Sequence, residues 1–176
     1  IDFNKIGVDV PEAYQLISSG DTDAVFQLEQ GGMKKFMKEL QPTCLEDLIA
    51  GISLYRPGPM DFIPTYIKNK NHPEQIVYDT PLLEPILKNS YGVIVYQEQV
   101  MQIFQKLAGY SLGQADLVRR AMAKKHKDEL MAQKDKFIYG DIDKGGNITG
   151  CAAQGIPAEV AAKIFADMES FASYAF

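Results

Sequence analysis

Tryptophan is absent from this sequence of 176 residues, and cysteine and histidine occur only twice each. The two cysteines, Cys44 and Cys151, are too few and too isolated for the dense disulfide framework of a small secreted domain, and they indicate a reducing compartment. His72 and His126 have no companion ligands at the spacing of a zinc motif. The sequence therefore excludes a disulfide-stabilised domain and predicts no metal site.

Long apolar runs and an excess of positive charge are also missing. No apolar stretch approaches the roughly 18 residues that a membrane-spanning helix needs, and no signal peptide precedes Ile1, so we expect a cytoplasmic protein without membrane contact. Basic side chains number 18 and acidic ones 23, which gives a net charge of −5. A chain of this charge does not wrap a nucleic acid as a whole, so contact with a polyanion requires a local basic patch.

The chain has enough apolar residues, 46% of the total, to bury a core. Its length fits one compact domain better than two. It starts without a methionine and stops inside the aromatic run at residues 171–176, whereas natural domain ends are usually polar. We therefore expect a single domain that is a fragment of a longer protein.

Apolar residues at helical spacing dominate the chain. They predict helices at residues 33–40, 45–52, 60–67, 100–107 and from Pro157 onward. A capping box of Ser111 and Gln114 begins another helix, and a long polar and charged helix is predicted at 126–137. Segments rich in Ile, Val and Tyr at 75–78 and 91–96 favour small strands, and a buried extended stretch is equally compatible with residues 92–96. The predicted fold is mainly α with a few short β-strands. It comprises a helical part at 1–72, short extended segments at 73–96, and a helical part at 97–176 with a cationic stretch and a glycine-rich loop.

Positive charge is concentrated in one stretch of nine residues. This basic patch consists of Arg119, Arg120, Lys124, Lys125 and Lys127. On a helix, Arg120 and Lys124 share a face, opposite an apolar face formed by Leu112, Ala115, Val118 and Met122. Guanidinium groups held in this way suit phosphate oxygens, to which they donate in a bidentate fork. The alternative is a solvated helix end, where cations complement the helix dipole and Arg120 pairs with Asp116.

Acidic residues offer weaker candidates for a functional site. Asp141 and Asp143 have the spacing of a two-metal carboxylate pair and also of the start of a calcium-binding loop. The calcium interpretation fails because Gly145 and Ala152 stand at ligand positions, so a solvated loop is favoured. Glu98 has no acidic partner nearby in the sequence and suits the first turn of a helix, whose dipole favours a carboxylate.

Six short stretches form a more specific pattern. They are GDTDAVFQLE (20–29), YRPGPM (55–60), YGVIVYQEQVMQ (91–102), AGYSLG (108–113), ADLVRRAM (115–122) and FASYAF (171–176). In this order and spacing they resemble the catalytic alpha subunit of bacterial DNA polymerase III, across essentially the whole chain. Three residues depart from the family pattern: Ala24 stands where Gly is frequent, Gln30 where Ser is common, and Ala123 where Gly or Ser is usual.

The resemblance implies the fingers region of a template-directed DNA polymerase. Such an enzyme replicates DNA by nucleotidyl transfer from deoxynucleoside triphosphates to primer–template DNA, beside other replisome subunits. The family's catalytic carboxylates, and the Mg²⁺ ions that they bind, belong to the palm, which precedes the fingers. We therefore expect no catalytic residue in this chain, no Mg²⁺ bound by it, and no activity of the chain alone.

The resemblance also implies a role for the basic patch. Arg119 and Arg120 are expected to bind the β- and γ-phosphates of the nucleotide, with Lys124 and Lys125 in support. Two other functions stay open for this chain. One is a DNA-binding module whose patch contacts template phosphates, and the other is a module that docks with replisome proteins.

Three further residues are candidates for contact with DNA or nucleotide. Arg56, in the Pro-Gly-Pro turn, is expected either to bind a phosphate or to pin the turn by a hydrogen bond. Tyr96 and Tyr110 are candidates for stacking on a base. The alternative for both tyrosines is an ordinary place in the core or on the surface.

Overall fold

The computed structural model describes residue 2, residues 7–124 and residues 127–175, with the main chain alone for 123–124, 127–129 and 173–175. Helices account for most of this part. The α-helices are α1 (Pro11–Ser19), α2 (Gly31–Leu40), α3 (Leu45–Leu54), α4 (Ile63–Asn71), α5 (Glu84–Leu87), α6 (Gln97–Ala108), α7 (Leu112–Lys124), α8 (Lys127–Tyr139) and α9 (Ala158–Ala175). Short 3-10 turns lie at Pro59–Phe62, Pro73–Gln75, Pro81–Leu83, Lys88–Ser90, Ile142–Lys144 and Cys151–Gln154.

The predicted helices are confirmed, except that residues 60–62 belong to a 3-10 turn, α9 begins one residue after Pro157, and residue 126 lies outside the described residues. The predicted capping box is present: the N–H of Ser111 donates to Gln114 Oε1 at 2.8 Å, and the N–H of Gln114 donates to Ser111 Oγ at 3.3 Å. α4 runs on to Asn71, beyond the predicted 60–67, and α1 has no counterpart in the prediction. No helix in the described ranges has the length and apolar character needed to cross a bilayer.

The two predicted β-strands are not present: residues 75–78 and 91–96 pair with no neighbouring strand in the described part of the chain. In the second segment, side chains take the hydrogen bonds that a partner strand would take. Ser90 Oγ donates to the carbonyl of Val93 at 2.6 Å. Gln99 Oε1 accepts from the N–H groups of Val95 and Tyr96 at 2.9 and 3.0 Å. With these groups satisfied locally, the segment stays extended without a sheet.

A larger core joins α6, α7, α8 and α9. Its aromatic centre is Phe104, whose ring lies 5.2 Å from that of Phe137 and 6.1 Å from that of Phe165, both nearly perpendicular to it. Edge-to-face pairs of this kind are favourable beyond their buried area. This packing fixes the position of α7, the helix that carries the two arginines.

A smaller core joins α2, α3 and α4. Met37, Leu40, Leu54 and Tyr66 are among its most deeply buried members. Residues 93–95, here called the connector segment, lie between the two cores: Val93 and Val95 belong to the smaller core, and Ile94 packs against the larger one. Successive side chains of this segment therefore alternate between two cores, and not between the two faces of a sheet.

Candidate phosphate-binding site

Helix α7 presents its two arginines from a rigid base. Ala115, Val118 and Met122 are buried in the larger core, as the predicted apolar face requires. Leu112 departs from that prediction, because it is 59% exposed. It is the first residue of α7, at the capped end, and the packed face begins one turn later.

A shared carboxylate holds both arginines. Arg119 Nε and Nη2 donate to Asp116 Oδ1 at 2.9 and 2.7 Å, and Arg120 Nη2 lies 2.7 Å from Asp116 Oδ2. The predicted pair between Asp116 and Arg120 is thus present, and Arg119 joins it. The two guanidinium groups differ in environment, because the Arg119 side chain is 19% exposed and that of Arg120 is 64% exposed.

Arg119 makes a further contact with α6. Its Nη1 donates to Oε1 of Gln97 at 2.9 Å. Gln97 is the first residue of α6 and half-buried, and its side chain also lines a cavity of about 180 Å³. Other residues that line this cavity are Ser53, Arg56, Pro59, Tyr96 and Glu98. The cavity therefore brings two predicted site residues, Arg56 and Tyr96, to the amide that binds Arg119.

Arg56 has an exposed side chain, and its main chain shapes the turn. Its N–H donates to the carbonyl of Leu54 at 2.8 Å, and its carbonyl accepts from the N–H of Met60 at 3.1 Å. Among the described residues, the guanidinium group has no hydrogen bond or ion pair. The hydrogen bonds of the turn thus come from the main chain of Arg56 and leave its charge for another partner.

The two tyrosines occupy different places. Tyr96 is half-buried, packs against the smaller core and lines the cavity. Tyr110 is 4% exposed, and its ring lies 5.1 Å from that of Phe104 in the larger core. Burial raises the pKa of both hydroxyl groups. Tyr110 therefore has the core position that is the alternative to base stacking.

The side chains of two predicted phosphate ligands are outside the described part of the chain. Lys125 falls outside the described residues, and only the main chain of Lys124 is described, as the last residue of α7. The geometry of the basic patch therefore rests on Arg119 and Arg120.

The two aspartates of the glycine-rich loop differ in exposure and in hydrogen bonding. Asp143 is exposed, as predicted for a solvated loop. The Asp141 side chain is only 12% exposed, contrary to that prediction, since Oδ1 accepts from the N–H of Ile148 at 2.9 Å and Oδ2 lies 3.4 Å from Lys136 Nζ. The Ile148 hydrogen bond is the main cause of a lowered Asp141 pKa. Within the described residues, no group of three or more His, Cys, Asp or Glu side chains is placed to hold a metal ion.

Gln97 is the site residue that sequence reasoning missed. A glutamine among several in the stretch YQEQVMQ carries no charge signal, and its partner Arg119 lies 22 positions away. Only the packing of α6 against α7 brings the two together.

Comparison with known proteins gives the chain its family. Residues 1–145 match the family described as the bacterial DNA polymerase III alpha subunit finger domain. The whole chain aligns with proteins named DNA polymerase III subunit alpha, at 44% identity in Thermus aquaticus, 45% in Halalkalibacterium halodurans and 46% in Pasteurella multocida. It spans only 14–15% of the length of these relatives. The chain therefore belongs to the family of bacterial DNA polymerase III alpha subunit finger domains.

Proposed function

We propose that this chain is part of a template-directed DNA polymerase and that its arginines hold the triphosphate of the incoming nucleotide. The observation that carries the proposal is the arginine pair on α7. The buried side chains of α7 fix the helix on one side, and Asp116 holds both guanidinium groups on the other. Donors that are already oriented bind a developing charge without the cost of reorganisation.

The charges of this group suit a polyphosphate. Two guanidinium groups and one carboxylate leave a net positive charge on this face, and Arg120 is exposed to solvent. Guanidinium N–H groups match the geometry of phosphate oxygens better than an ammonium does. Arg119 and Arg120 are therefore assigned to the β- and γ-phosphates, with Lys124 and Lys125 in support.

In the proposed reaction, a primer 3′-hydroxyl attacks the α-phosphorus of the nucleotide and pyrophosphate leaves. Mg²⁺ ions on palm carboxylates outside this chain supply the metal chemistry. The residues of this chain contribute position and charge: the arginines orient the triphosphate and neutralise the charge that develops on the leaving group. Arg56 and Tyr96, which line one cavity, are assigned to a phosphate and a base of the nucleotide or the template.

Family membership supports a proposal for the setting of this activity. The bound partners are primer–template DNA, deoxynucleoside triphosphates and the other subunits of a replisome. We place the protein in the bacterial cytoplasm, where two unpaired cysteines are kept reduced. The chain acts as one domain whose catalytic carboxylates come from elsewhere in the protein.

Steady-state kinetics in a full-length alpha subunit that carries this sequence test the proposal. Arg119→Ala and Arg120→Ala are each expected to lower kcat/KM for the nucleotide by a factor equivalent to about 2–4 kcal/mol, as for the loss of one oriented donor. Lys35→Ala, which removes an 81% exposed cation from α2, is the matched control and should leave kcat/KM unchanged. Normal nucleotide kinetics in both arginine variants would contradict the assignment.

A second candidate function is favoured by the exposure of Arg120 and Arg56. Both are accessible to the backbone of a template strand, and phosphate contacts of this kind depend strongly on salt. In that case the arginine variants would weaken primer–template binding, with a shallower dependence on salt concentration. Fluorescence anisotropy of labelled primer–template DNA, with and without nucleotide, separates the two functions.

A further inference from the structure

We infer that Gln97 is a positioning residue for nucleotide binding, because its amide binds the Arg119 guanidinium and its side chain lines the cavity that Arg56 also lines. The inference rests on the proposed function of Arg119 and adds a residue on a different helix to that site. It starts from one hydrogen bond, in which Arg119 Nη1 donates to Gln97 Oε1 at 2.9 Å.

The orientation of the Gln97 amide follows from chemistry. A guanidinium group has only donors, so the atom that faces Arg119 has to be the amide oxygen. The amide nitrogen, which has only donors, is therefore turned away from Arg119. Within the described part of the chain, no side-chain hydrogen bond of this nitrogen is present.

Gln97 gives Arg119 an anchor on a second helix. Asp116 binds Nε and Nη2 along one edge of the guanidinium group, and Gln97 binds Nη1. The bond to Asp116 joins residues on one helix, whereas the bond to Gln97 joins α7 to α6. Because a planar group held along one edge can still swing on its side chain, an anchor at Nη1 restricts that motion.

Gln97 also lies next to a second candidate residue of the site, Arg56. Gln97 lines the same cavity of about 180 Å³ as Arg56, a cation with no ion pair among the described residues. One amide thus links the partly buried arginine of α7 to the exposed arginine of the Pro-Gly-Pro turn.

The test is a double-mutant cycle in a full-length alpha subunit that carries this sequence. Gln97→Met keeps the size of the side chain and removes the acceptor, and Gln102→Met, at an exposed position of the same helix, is the matched control. We expect Gln97→Met to lower kcat/KM for the nucleotide about tenfold, mainly through KM, as for the loss of a hydrogen bond to a charged group. Gln102→Met should leave both constants unchanged.

The second arm of the cycle separates positioning from a structural role. When Arg119 is already replaced by Ala, Gln97→Met is expected to change kcat/KM by less than about twofold, because the group that it orients is gone. An equal loss in both backgrounds, or wild-type kinetics of Gln97→Met beside a defective Arg119→Ala, overturns the inference and leaves the proposed function standing. Wild-type kinetics of Arg119→Ala overturns both. Urea unfolding of each variant shows whether a loss of activity comes from a loss of stability.

Discussion

Asp116 is the residue whose ionisation matters most to the arginine pair. The hydrogen bond from Arg119 is the first cause of a lowered pKa of its carboxyl, and the charge of Arg120 lowers the pKa further. A group with a pKa lower in the folded than in the unfolded chain contributes stability above its ordinary pKa. That contribution is lost as the pH falls through the lower, folded value, so the arginine pair keeps its anchor at neutral pH.

A carboxyl titration of the 176-residue chain by carbon NMR checks this cause. Arg119→Ala is expected to raise the pKa of Asp116 toward the ordinary value of 3.8, and Arg120→Ala to raise it by less. Arg56→Ala, which removes an exposed guanidinium with no ion pair among the described residues, should leave the Asp116 pKa unchanged. A larger rise of the Asp116 pKa in Arg120→Ala than in Arg119→Ala would contradict the assignment of Arg119 as the main cause.

At the residue scale, the sequence identifies charge better than environment. The cationic stretch on α7 is visible in the chain, but the difference between a 19% exposed Arg119 and a 64% exposed Arg120 arises from packing. Ala24 gives a clearer case, since it stands where the family frequently has Gly. Its φ of 61° lies in the left-handed region that disfavours side chains. The resemblance identifies position 24 as unusual, and its left-handed backbone explains why relatives frequently have Gly there.

The glycine-rich loop between α8 and α9 depends on a close crossing of its two ends. The N–H of Asp141 donates to the carbonyl of Ile148 at 2.9 Å. A Cβ built on Gly150 would lie 2.3 Å from the main-chain nitrogen of Gly140, and one on Gly140 would lie 2.5 Å from the carbonyl oxygen of Ile148. Both distances are far below van der Waals contact, so this crossing accepts only glycine.

Two glycine variants separate collision from backbone strain. Gly145→Ala changes a residue at φ 78° in open space, so it is expected to cost about 1–2 kcal/mol of unfolding free energy through the left-handed conformation alone. Gly150→Ala has the same φ and adds the collision with fixed main-chain atoms, so we expect a cost of at least about 3 kcal/mol. Urea unfolding measures both, and equal costs would contradict the close crossing.

At the scale of elements, helices are predictable here and their connections are not. Apolar spacing marks α2, α6 and α9, because each buries the face that this spacing describes. In α3 the spacing predicts the helix but not its buried face, since Leu45 and Ile49 are 37% and 46% exposed whereas Ala50 and Leu54 are fully buried. α1 escapes that pattern, since Tyr14 is its only buried residue in the described chain. The strand prediction at 91–96 fails because the partners of its main chain are the side chains of Ser90 and Gln99, which no local pattern reveals.

At the scale of the whole molecule, the two cysteines differ in burial and can therefore serve as probes of its opening. Cys151 is fully buried in the larger core, and burial raises the pKa of its thiol to about 12. Cys44, the residue before α3, is partly exposed. A thiol reagent therefore reaches Cys44 in the folded chain and reaches Cys151 only when the larger core opens.

Thiol labelling of a Cys44→Ser variant measures that opening, because Cys151 is then the thiol that can react. Cys151 is expected to react on the order of a thousandfold more slowly in the folded chain than in the denatured one, as for a site protected by global stability. Arg120→Ala is the matched comparison, because it changes an exposed side chain and should leave the Cys151 rate unchanged. Rapid labelling of Cys151 under native conditions would contradict its place in the core.

The connector segment limits how the length of this chain can vary. Val93, Ile94 and Val95 enter the two cores in alternation, and the chain reaches Gln97 two residues later. Removal or addition of one residue would reverse the alternation and send each side chain toward the wrong core. Natural or designed length changes are therefore expected in the glycine-rich loop, outside its crossing point, and not between Gly92 and Gln97. Across the family, the number of residues from the smaller core to the start of α6 should stay constant even where the loops differ in length.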